Sequence, residues 1–386
     1  MTSVPRLAVY TDYTYRRRDG RVYAERAFAL FLLALAERLD GLVIAGKVDP
    51  RPGRSHYKLG PEVEFVELPY FQLTRPLSAA GAVLGSAIRF WRLLGEVDGV
   101  WLLGPHPLAM LFAALARLRR RTVALGVRQD FPRYVRARHP DRRWMWAAGD
   151  LLESIWRRMA RRFPTVAVGP ELASMYPEAT VLELSVSLVR ERDIAPPDGV
   201  APNYAAGELR ALSVGRLEQE KNPLLLADIL AELVRNNERW RLTVCGEGPL
   251  EQALRERLAK LGVADRADLL GYVANDGGLR EIYRSSHALL HVSLTEGVPQ
   301  VLFEAFAARL PIVATDVGGV RAATEGAALL VAAEDASAAA AALTQVVGDP
   351  ELRMRLTSAG AELVGARTLE IEAERAAAFL TGATPR

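Results

Sequence analysis

Short runs rich in Val, Ile and Leu alternate with helix-length amphipathic stretches along this whole chain, a pattern that parallel βαβ units satisfy. In the first half the expected strands are RLAVYT, GLVIAG, VEFVEL, GVWLLG, TVALGV and TVAVG, with helices at about 22–39, 78–95, 106–119 and 144–162. The second half repeats the logic with LRALSVGR, WRLTVCG, DLLGYV, HALLHVS, PIVATDVGG and ALLVA, separated by helical segments. An Ala-rich stretch near 335–348 reads simply as a helix made of the best helix former. Between the halves lies RDIAPPDGVAPNYAAGE, whose prolines and glycines break periodicity and place a linker near 192–207. A chain of 386 residues is long for one core. The expectation is two doubly wound α/β domains, 1–200 and 201–386.

Charge separates the halves. Residues 1–200 carry 30 Lys+Arg against 21 Asp+Glu, and the remainder carries 19 against 25, giving +9 and −6 and summing to the overall +3. A polyanionic partner for the first half is one implication. The acidic second half and the lack of a nucleic-acid motif argue against DNA or RNA. The single cysteine, Cys245, leaves neither a disulfide framework nor a Cys-based zinc site. The longest apolar runs are too short to span a bilayer, and MTSVPRLAVYTDY does not read as a signal peptide. A cytoplasmic location is expected.

In open parallel sheets, ligands gather beyond the carboxyl ends of the strands. GRLEQEKNP follows one such strand, and its Gly215, Arg216 and Lys221 could clamp a diphosphate, the guanidinium as a fork and the ammonium as a point charge. A solvated basic loop explains the same residues. In GEGP, Gly246 and Gly248 allow close backbone approach and Pro249 suits a first helical turn. The glycine of GYV, before Tyr272 and Val273, leaves room for a flat ring or simply ends a strand.

TEGVPQVLFEAFAARLPIVATDVGG sets Glu296 in a loop and Glu304 inside the following helix. Pro299 reads as a first-turn residue, so the amides of Val298, Pro299's neighbour Gln300, and Val301 point towards an anion. A carboxylate beside a phosphate is unfavourable, so both acids suit neutral diol hydroxyls better. Taken singly, each is also explained as a helix-surface or dipole-facing acid.

As a set, GRLEQEKN, VCGEGP, LLGYV and EGVPQVLFEAFAARLPIVATDVGG resemble the C-terminal half of retaining GT-B-fold glycosyltransferases, the glycogen-synthase-like and mannosyltransferase-like group-1 enzymes with a Glu-seven-residues-Glu signature. The resemblance covers about 206–320. It implies two Rossmann-like domains facing a cleft, with a last helix near 366–381 crossing back to the first. It implies a nucleotide-diphosphate sugar as donor substrate, UDP- or GDP-linked, bound mainly by the C-terminal domain, and an acceptor held mainly by the N-terminal one. Arg216 and Lys221 would then grip the diphosphate. Glu304 would hold the ribose, and Glu296 the transferred sugar near its anomeric carbon. Gly215, Gly246, Gly297, Val298, Pro299, Gln300 and Val301 would line the donor, with Tyr272 and Val273 at the base. Fixed cations and amides stabilise a departing diphosphate. No Asp-x-Asp pair of the metal-binding kind is present, so the expectation is metal-independent transfer with no cofactor.

The first half departs from the family pattern. Where many members have a Gly-Gly loop after the first strand, this chain has Gly20 alone, preceded by Arg16 to Arg18. Where many have a His-Asp pair, it has Gln129 and Asp130, which leaves Asp130 or substrate phosphate to take the acceptor proton. His106 in GPHPLAM is a further acceptor-side candidate, or a turn cap. Residues 117–162 hold 14 arginines against four acids, and Trp144, Leu151, Leu152, Ile155, Trp156, Met159 and Phe163 fall near one helical face. Docking on an anionic membrane to reach a lipid-linked acceptor is one reading, and a helix packed on the sheet is the other. A nucleotide-sugar 2-epimerase-like enzyme and a non-catalytic nucleotide-sugar-binding scaffold are the alternative functions.

Overall fold

The computed structural model describes residues 5–51, 56–70, 76–139, 141–185, 187–197, 202–274 and 278–382. Of the linker expected near 192–207, residues 198–201 lie outside that set. The chain forms two compact units, one comprising Met1–Leu188 with Leu369–Arg386, the other Val189–Thr368.

The first unit contains strands β1 (Leu7–Arg18), β2 (Arg21–Ala24), β3 (Leu42–Val48), β4 (Tyr57–Lys58), β5 (Val63–Leu68), β6 (Gly99–Gly104), β7 (Thr122–Val127), β8 (Thr165–Val168) and β9 (Val181–Leu184). Its helices are α1 (Phe28–Ala36), α2 (Pro76–Leu93), α3 (Pro107–Leu118), α4 (Phe131–Arg138), α5 (Arg143–Ala160) and α6 (Pro170–Ser174). The parallel strands run in the order β5-β3-β1-β6-β7-β8-β9. Strand order therefore reverses between β1 and β6, the place where an open α/β sheet leaves room for ligands. Alternation along β1 divides the core. Leu7 and Val9 face one side, with Ile44, Trp101 and Leu35, while Ala8 and Tyr10 face the other, with Val43, Phe112 and Trp156.

The segment expected as a helix from residue 22 begins instead as a strand. β1 continues beyond the parallel sheet and turns back through Asp19 and Gly20, both at positive φ, to pair antiparallel with β2. Asp-Gly is the dipeptide that a tight hairpin of this twist demands, and this local signal outweighs the helical periodicity that follows. α5 also differs from the expectation. Trp156 is fully buried and Met159 and Phe163 pack with it, whereas Trp144, Leu151 and Ile155 are exposed. One apolar face read from the sequence is thus two, because a 3.6-residue period blurs positions 80–100° apart.

The second unit is a six-stranded parallel sheet. It comprises β10 (Leu209–Val214), α7 (Leu224–Asn236), β11 (Trp240–Cys245), α8 (Glu251–Lys260), β12 (Ala267–Gly271), α9 (Gly278–Ser285), β13 (Ala288–His291), α10 (Gln300–Ala307), β14 (Ile312–Thr315), α11 (Val320–Thr324), β15 (Leu329–Val331), α12 (Ala336–Gly348) and α13 (Pro350–Gly365). The order β12-β11-β10-β13-β14-β15 places the reversal between β10 and β13. Residues before the linker already belong here. Ala195 exchanges hydrogen bonds with Ala307 and Arg309, and Asp193 pairs with Arg280 at 2.7 Å.

The last helix, α14 (Leu369–Thr381), returns to the first unit and lays Leu369, Ala373, Ala376 and Leu380 into its core beside α1. Glu372 on this helix is fully buried. It accepts hydrogen bonds from the Ser185 amide at 2.9 Å and from Arg375 at 2.7 Å. A buried carboxylate is tolerable only with such partners. Glu372→Ala is therefore expected to lower the stability of the first unit by roughly 2–4 kcal/mol, read by urea denaturation.

Candidate active site

At the reversal in the second unit, the loop after β10 and the loop after β13 meet. The Leu294 amide donates to the Glu220 carbonyl at 2.8 Å, tying them together. The neighbouring strand ends are laced in the same way. Gly215 donates to Cys245, Gly246 to Gly271, and Leu217 to Glu247. Gly246 sits at φ +156°, and a Cβ there would lie 1.7 Å from the Gly215 carbonyl oxygen. Only glycine lets these backbones close up.

Glu296 is the centre of the polar arrangement. Its Oε1 accepts a charge-assisted hydrogen bond from Lys221 and another from the Ser293 hydroxyl at 2.6 Å. His291 Nε2 lies 3.0 Å from the same oxygen without completing an aligned hydrogen bond. Burial pushes the carboxyl up, but His291 and Lys221 outweigh it and hold the pKa at about 2. Glu296 is thus firmly ionised. Its loop is braced from behind by Gly318, at φ +51°, where a Cβ would fall 2.0 Å from the Glu296 carbonyl oxygen. This is the physical role of the Gly-Gly pair that ends the sequence signature.

Glu304, on α10, accepts from the Tyr283 hydroxyl at 2.8 Å. Burial raises its pKa, opposed by Tyr283 and Arg280. Arg216 bridges to Glu218 and, at 3.0 Å, to Glu220. α10 begins at Gln300 with Pro299 as its cap residue, so Val298 to Val301 form the helix entrance. Tyr272 follows β12, is half exposed, and its amide donates to Glu247 at 3.3 Å. The structure therefore brings Lys221 and Glu296 into contact, and it sets Arg216 and α10 at the ends of neighbouring strands in the same sheet. His291 and Ser293 were missed by the sequence reading. A histidine inside the apolar run ALLHVS, with a serine two residues on, was the available signal.

The first unit carries its own cluster at the β1/β6 reversal. Tyr10 hydroxyl and His106 Nδ1 are 3.0 Å apart, and the same nitrogen accepts the Leu108 amide at 3.2 Å as the cap of α3. These bonds assign the ring proton to Nε2. Asp12 pairs with Arg128, whose guanidinium carbon stands 4.1 Å above the Tyr13 ring. Burial, with Lys47 nearby, pulls the His106 pKa down to about 4. Burial raises the Asp12 carboxyl, but the Arg128 guanidinium outweighs it and leaves its pKa lowered. Tyr10, Asp12, Lys47 and Arg128 were not singled out from the sequence. Gln129 is exposed, and Asp130 caps α4 by accepting the Arg133 amide at 3.0 Å. Gly20 lies in the hairpin turn beyond Arg18, which is roughly 25 Å along an extended strand from Tyr10.

Residues 202–363 match the family described as "Glycosyl transferases group 1". The second unit is a group-1 glycosyltransferase domain. The chain is 29% identical over 153 residues to the phosphatidylinositol N-acetylglucosaminyltransferase gpi3 subunit of Schizosaccharomyces pombe, a match spanning 40% of this chain and 31% of that protein. It is 34% identical over 94 residues to a Campylobacter jejuni α-1,4-N-acetyl-D-galactosaminyltransferase named for a PP-undecaprenol-linked substrate, spanning 24% of this chain and 25% of that protein. The similarity thus covers about a third or less of these relatives' length. HepE from Anabaena, solved in complex with UDP, superimposes with a TM-score of 0.72 at 14% identity, covering 98% of this chain and 99% of HepE. The fold of this chain is therefore GT-B.

His106 folds as a neutral ring, with a folded pKa below the unfolded value of about 6.5. Its contribution to stability is complete above that value and is lost as pH falls from about 6.5 towards 4. The melting temperature is expected to drop more steeply over this window in the wild type than in His106→Asn, a variant that keeps a capping acceptor.

Proposed function

We propose that this chain transfers a sugar from a nucleotide-diphosphate sugar, UDP- or GDP-linked, to an acceptor hydroxyl, with retained anomeric configuration and without a metal. The observation that carries the reading is the Lys221–Glu296–Ser293 cluster at the strand-order reversal of the group-1 domain. HepE binds UDP, and the two relatives are transferases, which supports the donor class.

Lys221 carries three N–H bonds, so anchoring by Glu296 leaves donors for diphosphate oxygens. The Arg216 fork adds a second cation once it turns from Glu218 and Glu220. Amides at the start of α10 complete the neutralisation of the leaving group, where negative charge develops as the glycosidic bond breaks. Glu296, held ionised, accepts sugar hydroxyls and faces the positive charge that builds on the ring. Glu304 takes the ribose hydroxyls, with Tyr272 and Val273 beside the base. In the first unit, the acceptor lies at the carboxyl ends of β1, β6 and β7, near His106 and Asp130. Asp12 is a second carboxylate there with side-chain surface open to a hydroxyl. The products belong to glycan, glycolipid or glycosylated-metabolite synthesis.

A thermal-shift screen of nucleotides identifies the donor, since a ligand that binds the native state raises its melting temperature. Lys221→Ala is expected to weaken donor binding and slow transfer by roughly 10²-fold, and to let the Glu296 pKa rise. Glu304→Ala should weaken donor binding by roughly 10-fold, while Glu296→Gln lowers turnover more than affinity. Near-normal turnover in both Lys221→Ala and Glu304→Ala would overturn the placement of the donor. Turnover should also survive a chelator, and sugar interconversion without transfer would favour an epimerase.

A further inference from the structure

The outward face of α5 has a composition its packing does not require. At 100° per residue, Trp144, Leu151 and Ile155 fall within about 40° of one another. They are 70%, 61% and 39% exposed. The opposite face anchors the helix by itself. Trp156 is buried so tightly that a Cβ on Gly104 would come 2.6 Å from its ring. Glu153 accepts from the Tyr176 hydroxyl at 2.8 Å and from Arg157 at 2.9 Å. Val135 of α4 packs over Gly149, and Arg136 grips Asp150 through both oxygens at 2.8 Å. Nothing in this anchoring uses Trp144, Leu151 or Ile155.

The charges around the strip are equally uneven. Arg157 and Arg161 have acidic partners in Glu153 and Glu178. Arg142, Arg143, Arg158 and Arg162 are exposed and make no side-chain ion pair among the described residues. By the same angular count, Arg158 and Arg162 lie within about 60° of Leu151 and Ile155. An exposed Trp-Leu-Ile strip flanked by uncompensated arginines matches an interface whose interior is apolar and whose surface is anionic. A protein partner would need a matching acidic rim around an apolar pocket, whereas a bilayer containing anionic lipid supplies both layers at once. Among the described residues no helix is long and apolar enough to cross a membrane, so attachment of this kind is peripheral.

We propose that the outer face of α5 docks this chain on an anionic lipid surface, with Trp144, Leu151 and Ile155 entering the headgroup–acyl boundary and Arg143, Arg158 and Arg162 meeting lipid phosphates. The inference stands on this helix alone and does not require the transfer reaction.

Flotation of the full chain with vesicles of phosphatidylcholine, or of phosphatidylcholine with phosphatidylglycerol, tests it. The wild type should float with the anionic vesicles and remain behind with the neutral ones. The variant Trp144→Ser, Leu151→Ser, Ile155→Ser should melt like the wild type and fail to float. Arg143→Gln, Arg158→Gln, Arg162→Gln should lose roughly 100-fold in affinity at low salt. A blue shift of tryptophan emission on adding anionic vesicles should vanish in Trp144→Ser. The proposal fails if the wild type ignores anionic vesicles or if the apolar variant floats as well as the wild type. It also fails if the wild type is a solution oligomer that this variant dissociates, for the face then joins copies of the chain. No sugar nucleotide enters the assay, so its failure leaves the transferase reading standing.

Discussion

A single buried carboxylate organises the second unit's polar chemistry. Glu296 takes Lys221 and Ser293 on one oxygen, with His291 close by, and its charge is stabilised strongly enough to survive burial. In a low-dielectric site an unpaired acid would instead take up a proton. Lys221 and Glu296 sit on different loops, after β10 and β13, so the pair also fixes the two loops against each other. The Leu294–Glu220 backbone bond and the close approach of Gly318 to Glu296 serve the same end. These contacts hold the loops after β10 and β13 in one fixed arrangement around the Lys221–Glu296 pair.

The two units solve the same geometric problem with different chemistry. Each opens at a strand-order reversal, between β10 and β13 or between β1 and β6. The second unit places an ionised acid beside a lysine and an aliphatic helix entrance. The first places a neutral histidine beside tyrosines and an Asp12–Arg128 pair, with its imidazole kept uncharged by burial and by Lys47. A neutral ring with its proton on Nε2 offers a donor rather than a charge. The cations of the other unit, Arg216 and Lys221, are paired instead with carboxylates.

Much of the second unit could be read in advance because its signals are local. Arg216, Lys221, Glu296, Glu304 and the glycines at 246 and 318–319 stand at strand-to-helix junctions that periodicity already marks. His291 and Ser293 were legible only weakly, as polar residues at the end of an apolar strand. The first unit resisted because its cluster comes from four distant strands. Tyr10 and Asp12, Lys47, His106, and Arg128 meet only when β1, β3, β6 and β7 align. Residues such as Gln129 and Asp130, adjacent to the contributing Arg128, drew attention by family pattern rather than by position in space.

The sequence by itself determined the class of fold and the six strands of the second unit, because alternation and junction chemistry act over a few residues. Tertiary structure alone decided where the chain divides, that a buried Glu372 ties α14 to the first sheet, and which side of α5 meets water. These outcomes depend on which distant surfaces find one another. Burial of a helix face or a carboxylate is a property of its partners, and no local pattern encodes them.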